Sequence, residues 1–198
     1  MYRLPLEYAR RDRIIRRINW HSLHTDQEDL GSIFQVILET VKAIQATKDA
    51  ENPLPDNTPH MAIAITNTIE EAKQVAILWN NLWGSPDSAI AYHSRLDPKA
   101  DKKRCLQKIR SNEYKLVVVV AMLLEGFDHP PISIAAIMTK ITSQVKFAQF
   151  LGRARRVVRG PEGLEAAEIW ADVVTHSYFR QEQNYQAYEE ELLIDPDD

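Results

Sequence analysis

The sequence predicts an α/β protein: a parallel sheet covered by helices on both faces. Three observations predict it. From residue 61 onward, short apolar runs alternate with longer segments of helical periodicity, as in repeated β–α units. The runs are apolar at successive positions rather than at every second one, which marks strands buried on both faces. The run Lys115 to Ala121 (KLVVVVA) is β-branched throughout its centre, the pattern least compatible with a helix.

Taken in order, residues 4–18 place Leu4, Leu6, Tyr8, Ile14, Ile15 and Ile18 among arginines and predict a short segment running into an amphipathic helix. A linker whose arginines meet phosphate is the other reading. His21 and His24 have a spacing that can suit a metal, but no acidic or Cys partner repeats it, which favours ordinary loop histidines. Leu30, Ile33, Phe34, Ile37, Leu38, Val41 and Ile44 recur at three and four and predict a helix, with Asp26 as its N-cap. Residues 48–60 hold prolines, Asn and Asp and read as a surface loop. This divides the chain into a helical N-terminal extension, 1–60, and a sheet domain, 61–198, closed by an acidic helix and tail.

Met61 to Thr66 (MAIAIT) predicts the first buried strand, and Thr68 with Glu71 forms a capping box for a helix that Gly84 ends. Trp79 and Trp83 on that helix read as core filling in preference to a base-stacking platform. Ser88 to His93 is a second strand, and Asp97-Pro98 opens the next helix. After the Lys115 strand come a fourth strand, Ile134 to Thr139, and a helix capped by Thr142 or Ser143. A fifth strand, Glu168 to Thr175, and a closing helix, His176 to Leu192, complete the series. Ligands of such sheets bind beyond the carboxyl ends of the strands, so the candidate residues are expected together on that one rim.

Composition bounds the function. The 198 residues are 44% hydrophobic and 26% charged with net charge −4, so no global basic signature marks a nucleic-acid binder. The charge is nevertheless uneven: six arginines crowd residues 3–17, and no Lys or Arg follows Arg180. Cys105 is the only cysteine, which excludes an internal disulfide and a Cys-based zinc cluster and fits a reducing, cytoplasmic setting. No metal-ligating pattern is found, and no apolar run approaches a membrane span.

The stretch with most chemical content is Gln149-Phe150-Leu151-Gly152-Arg153-Ala154-Arg155-Arg156. Gln149, Arg153 and Arg156 are spaced by four and three and fall on one helical stripe, with Phe150 free to anchor the opposite side. Two guanidiniums and a carboxamide suit a polyanion such as a triphosphate, because Arg offers a fixed fork of permanently charged donors. Gly152 inside a helix costs about 1 kcal/mol relative to Ala, so a close neighbour is expected there. Upstream, Glu125-Gly126-Phe127-Asp128 follows the end of the β-branched strand.

These two runs resemble the last two sequence motifs of the second RecA-like domain of superfamily-two helicases and translocases. Ala62 to Asn67 with Glu70, Glu71 and Ala72 is similar to the family's fourth motif, and Tyr92-His93-Ser94 with Arg104 to a looser pattern between motifs. The form LLEGFD-x-P followed by Q-x-x-G-R-x-R-R looks most like restriction-enzyme motor subunits and related DNA translocases. The resemblance implies a RecA-like sheet and a set of roles. Arg156 is expected as the arginine finger, with Arg153 and Gln149 holding the γ-phosphate. Gly126 allows close backbone approach, and Asp128 accepts from a ribose hydroxyl or orients the arginines. Thr66, Asn67 and Ser94 are expected to touch nucleic acid.

The departures define what is missing. Val120 and Ala121 stand where the family often has Thr or Ser followed by Asp. No G-x-x-x-x-G-K-[ST] occurs, and no D-E-x-[DH] run follows a strand. The implied cofactor is ATP with Mg²⁺, the metal held by a first RecA-like domain in cis or trans. The implied partner is nucleic acid, DNA favoured over RNA, with the chain inactive alone. Two other readings stay open: a non-catalytic helicase-like module, and an unrelated small α/β enzyme with an anion-binding helix.

Overall fold

Pairing between neighbouring strands is parallel throughout and joins six of them into one sheet in the order β1-β6-β5-β2-β4-β3. The strands are β1 (Arg17–Leu23), β2 (Met61–Thr66), β3 (Ala89–Tyr92), β4 (Leu116–Val120), β5 (Ile132–Ile137) and β6 (Trp170–His176). The helices are α1 (Leu30–Glu51), α2 (Ile69–Trp83), α3 (Asp101–Arg110), α4 (Gln144–Ala154) and α5 (Glu182–Leu193). This computed structural model describes residues 15–26, 28–96, 101–120, 129–158 and 170–193.

Side-chain alternation along the strands builds a different core on each face. Ala62, Ala64, Val118 and Ala136 point towards α1 and α2, whose Phe34, Ile37, Val75 and Trp79 fill the space the alanines leave. On the other face Ile63, Ile65, Val117, Val119 and Ile137 meet Phe147, Phe150 and Leu151 of α4 and Ile109 of α3. Trp79 is fully buried and stacks on Trp83 at 5.4 Å, as expected of core filling. The capping box at Thr68 and Glu71 is formed in both directions, and Gly84 ends α2 at φ 75°, a conformation that favours glycine.

The start of the chain differs from expectation. Where a helix was expected to begin by residue 18, Arg17–Leu23 form an edge strand parallel to β6, and α1 packs on the same sheet. Burial alternates there, with Arg16 and Ile18 inward and Arg17 and Asn19 outward, so the tertiary contact with β6 prevails over the helical propensity of arginine. The stack of Trp20 on Tyr185 of α5, 4.4 Å between ring centres, fastens this edge. The N-cap of α1 is Asp29, which accepts from the Ser32 amide at 2.9 Å, and not Asp26. The closing helix begins at Glu182, after a short 3₁₀ turn at Ser177–Phe179. The expected helix start at Asp97-Pro98 lies outside the described residues.

His21 is on β1 and not in a loop. Its Nε2 lies 2.8 Å from Asp172 Oδ1, which also accepts from Asn19 Nδ2 at 2.9 Å. The other Asp172 oxygen meets Lys48 Nζ of α1 at 3.0 Å, and Lys48 also donates to the Trp170 carbonyl. Burial alone would raise the Asp172 pKa; the bond from His21 and the charge and bond of Lys48 outweigh it and hold the carboxyl below its usual value.

Candidate nucleotide and nucleic-acid sites

Helix α4 starts beyond the carboxyl end of β5, capped by the Ser143 hydroxyl, and runs back antiparallel to the strands. Its last turn therefore lies at the amino end of the sheet. Arg16 shows this: one guanidinium nitrogen donates to the carbonyls of Ala154 at 3.0 Å, Ile132 at 2.8 Å and Pro130 at 3.2 Å. It ties the end of α4 to the beginning of β5. The expectation that all candidate residues share one rim is thus corrected. Thr66, Asn67 and Ser94 follow strand ends, whereas Arg153 and Arg156 sit where strands begin.

The helix stops at Ala154 because the chain is taken up by another partner. Arg16 N donates to Arg155 O at 2.7 Å, Arg155 Nε returns a bond to Arg16 O at 3.1 Å, and Ile15 bridges Arg156 in antiparallel sense. The Arg16 guanidinium meanwhile satisfies a terminal helix carbonyl that would otherwise be orphaned. Gln149 and Arg153 do share the helical stripe, with Phe150, Leu151 and Ala154 locked into the core behind them. Arg156 lies past the helix, exposed, and reaches this rim by the strand-like exit instead of by helical spacing.

Arg153 is half-buried and its pKa is lowered by that burial, while remaining the kind of group that stays charged at neutral pH. Arg155, unassigned by the motif, is turned inward: buried, donating to the Tyr188 hydroxyl, with its guanidinium 5.7 Å from that ring's centre. Among the described residues no close neighbour meets Gly152: a Cβ built on it has no described atom within 4 Å. Gly126 and Asp128, with the rest of residues 121–128, lie outside the described residues.

At the opposite rim the Thr66 side chain is buried and its hydroxyl donates to Thr68 O at 3.2 Å, shaping the turn. Asn67 and Ser94 are exposed. The Asn67 and Thr68 amides both donate to one Glu71 oxygen, at 2.9 and 3.1 Å. Asn67 lies on a groove of about 610 Å³ that also takes in Lys140, Tyr178 and Arg180.

No family model matches the chain. In sequence it is 26% identical over 166 residues to UvrABC system protein B of Vibrio vulnificus (strain YJ016), covering 77% of this chain and 22% of that protein. In structure it resembles a fragment described as an HsdR subunit of a type I restriction enzyme from Vibrio vulnificus YJ016. The TM-score is 0.61 at 16% identity, over 86% of this chain and 34% of that one. It also resembles domain 2 of the DEAD-box helicase Mss116p, solved bound to an RNA duplex, with TM-score 0.55 at 11% identity over 91% and 70% of the two chains. The fold is that of a C-terminal RecA-like helicase domain. The chain spans less than a quarter of the length of the curated relative it matches, at 22%.

Gln149, Arg153 and Arg156 carry N–H donors of the kind a phosphate group would need, and a Cβ built at Gly152 meets no described atom within 4 Å. Among the described residues no group of three or more His, Cys, Asp or Glu side chains could hold a metal ion. No described helix is long and apolar enough to cross a membrane. Sequence reasoning missed Arg16, which it grouped with the surface arginines. The alternation of Arg16 and Ile18 against Arg17 and Asn19 was the available signal, and it is too short to stand alone.

Proposed function

We propose that this domain is the second half of an ATP-dependent motor that moves on nucleic acid inside the cell, with DNA favoured over RNA. A first RecA-like domain, in cis or in trans, would carry the phosphate-binding loop and the Mg²⁺ ligands. ATP with Mg²⁺, when bound between the two, supplies the phosphoryl transfer that drives the cycle. In that assembly Arg156 would set its guanidinium against charge developing on the γ-phosphate. Arg153 and Gln149 would hold the same group from the helix, and Gly126 and Asp128 would complete this wall. Thr66, Asn67 and Ser94 would lie along the strand, on the other rim.

One observation carries the reading. A half-buried Arg153 near the end of a helix anchored in the core, and an exposed Arg156 just past that helix, share a rim with Gly152, where a Cβ meets no described atom within 4 Å. A preorganised cation at a transferring phosphoryl group is worth about 10³- to 10⁵-fold in rate, which needs this kind of fixed support.

ATP turnover by the chain alone, and then by the chain joined to a first domain bearing a phosphate-binding loop, tests the proposal. No significant turnover is expected from the chain alone. Turnover dependent on Arg153 and Arg156 is expected from the pair. Robust hydrolysis by the chain alone contradicts it. A pair that never hydrolyses ATP, while the chain binds oligonucleotide, points to the non-catalytic module.

A further inference from the structure

Strand β5 lies between β2 and β6, so the turns that leave these three strands stand side by side. Together they form the groove described above: Asn67 after β2, Thr139 and Lys140 after β5, and Tyr178 and Arg180 after β6. Only Asn67 among these belongs to the motifs that the resemblance assigns to nucleic acid. We propose that the groove is a further binding site for single-stranded nucleic acid. The backbone would be held by Lys140 and Arg180 and a base would rest on Tyr178. This rests on the nucleic-acid part of the proposed function and extends the track from Asn67 across β5 to β6, away from Ser94, which follows β3.

The chemistry is that of a single-strand site: cations for the backbone and an aromatic face for a base. Lys140 and Arg180 are exposed, and among the described residues neither forms an ion pair. Tyr178 is 51% exposed although Phe179, beside it and edge-on to it at 5.4 Å between ring centres, is buried. The backbone fixes this arrangement. The His176 ring accepts from the Tyr178 amide at 3.1 Å, and Arg180 adopts the left-handed conformation, φ 51°, as its own amide closes the turn on Ser177 O. An aromatic ring and a guanidinium are thus held outward on one rigid turn. The carboxylate in the groove, Glu71, has one oxygen engaged by the Asn67 and Thr68 amides, which limits its opposition to a polyanion.

The test is fluorescence anisotropy of a labelled oligo-dT of about 15 nucleotides, within the site sizes of known single-strand binders and ample to span the groove, titrated with the chain at several salt concentrations. Lys140→Ala with Arg180→Ala is expected to weaken binding at least tenfold and to reduce the slope of log K against log salt by about 1.4, two phosphates' worth. Tyr178→Ala is expected to weaken binding about fivefold or more, and Tyr178→Phe to restore it, because the ring provides the stacking. Thermal melts of each variant confirm folding, and a photo-crosslink from 5-iodouracil is expected to map to residues 177–180. Unchanged affinity and salt slope in the double variant overturn the proposal, as does a crosslink confined to Ser94. No binding by the wild-type chain overturns it too. In each case ATP turnover with a first domain, governed by Arg156 on the other rim, still decides the motor reading separately.

Discussion

The two rims of the sheet use the same cationic chemistry in opposite ways. Where the strands begin, charge is turned inward: Arg16 is fully buried on three carbonyls, Arg155 is folded against Tyr188, and Lys48 meets Asp172. Where they end, Lys140 and Arg180 face outward from short turns. The difference teaches that an arginine-rich stretch does not by itself mark a binding face. Around residues 153–156 some guanidiniums are the scaffold, and the scaffold decides which others can reach a ligand.

Substitutions should separate the rims, stability responding at one and binding at the other. The largest effect is expected from Asp172→Ala, which removes the buried carboxylate shared by Lys48, His21 and Asn19 and costs about 4 kcal/mol in urea unfolding. A loss under about 1 kcal/mol would show that this network is replaceable by water. Arg16→Met keeps much of the volume but strands three carbonyl acceptors, and about 3 kcal/mol should be lost. If stability were unchanged while the end of α4 stayed ordered by hydrogen exchange, the clamp between α4 and β5 would lie elsewhere.

Acid adds a further comparison, because burial lowers histidine pKa values at both rims: His60 and His129 where strands begin, His93 and His176 where they end. His60 is buried, its Nδ1 2.7 Å from Ser133 Oγ and its Nε2 2.8 Å from Asn52 O, and burial, more than any other cause, lowers its pKa. Burial likewise lowers that of His129. With folded values below the ordinary 6.5, the unfolded chain takes up these protons first. The contribution is full above pH 6.5 and is lost as pH falls through the folded pKa, by up to about 1.4 kcal/mol per pH unit for each group. Asp172, also lowered, adds a second loss below about pH 4. Unfolding midpoints flat from pH 7 to 5 would contradict the buried neutral histidines. The smallest effect belongs to the outward rim: Lys140→Ala and Arg180→Ala should each stay within about 0.5 kcal/mol of the parent.

Much of the layered fold was legible because its signals are local. Four valines in a row can hardly be anything but a central strand, and the Thr68–Glu71 reciprocity and the left-handed Gly84 fix both ends of α2 from sequence alone. Strand β1 was not legible: its order comes from pairing with β6, about 150 residues later, and its arginines read as an amphipathic helix or as a linker meeting phosphate. The candidate residues could be named from type and spacing, but not placed. Spacing put Gln149, Arg153 and Arg156 on one helix, yet α4 ends at Ala154, where Arg16 and Ile15 from the other end of the chain take over. Nor does a motif record which way its helix runs, and that direction separates the arginines from Asn67 and Ser94.

The most direct measurement is a paired one on Arg156→Ala, made in the domain joined to a first domain with a phosphate-binding loop: the turnover number for ATP and the affinity for a labelled single strand. The account predicts a fall in turnover of about 10³-fold with strand affinity within about twofold, the limit for a charge lost on the rim away from the strand. Turnover unchanged, or strand binding lost along with it, would contradict the separation of nucleotide and strand onto opposite ends of the sheet.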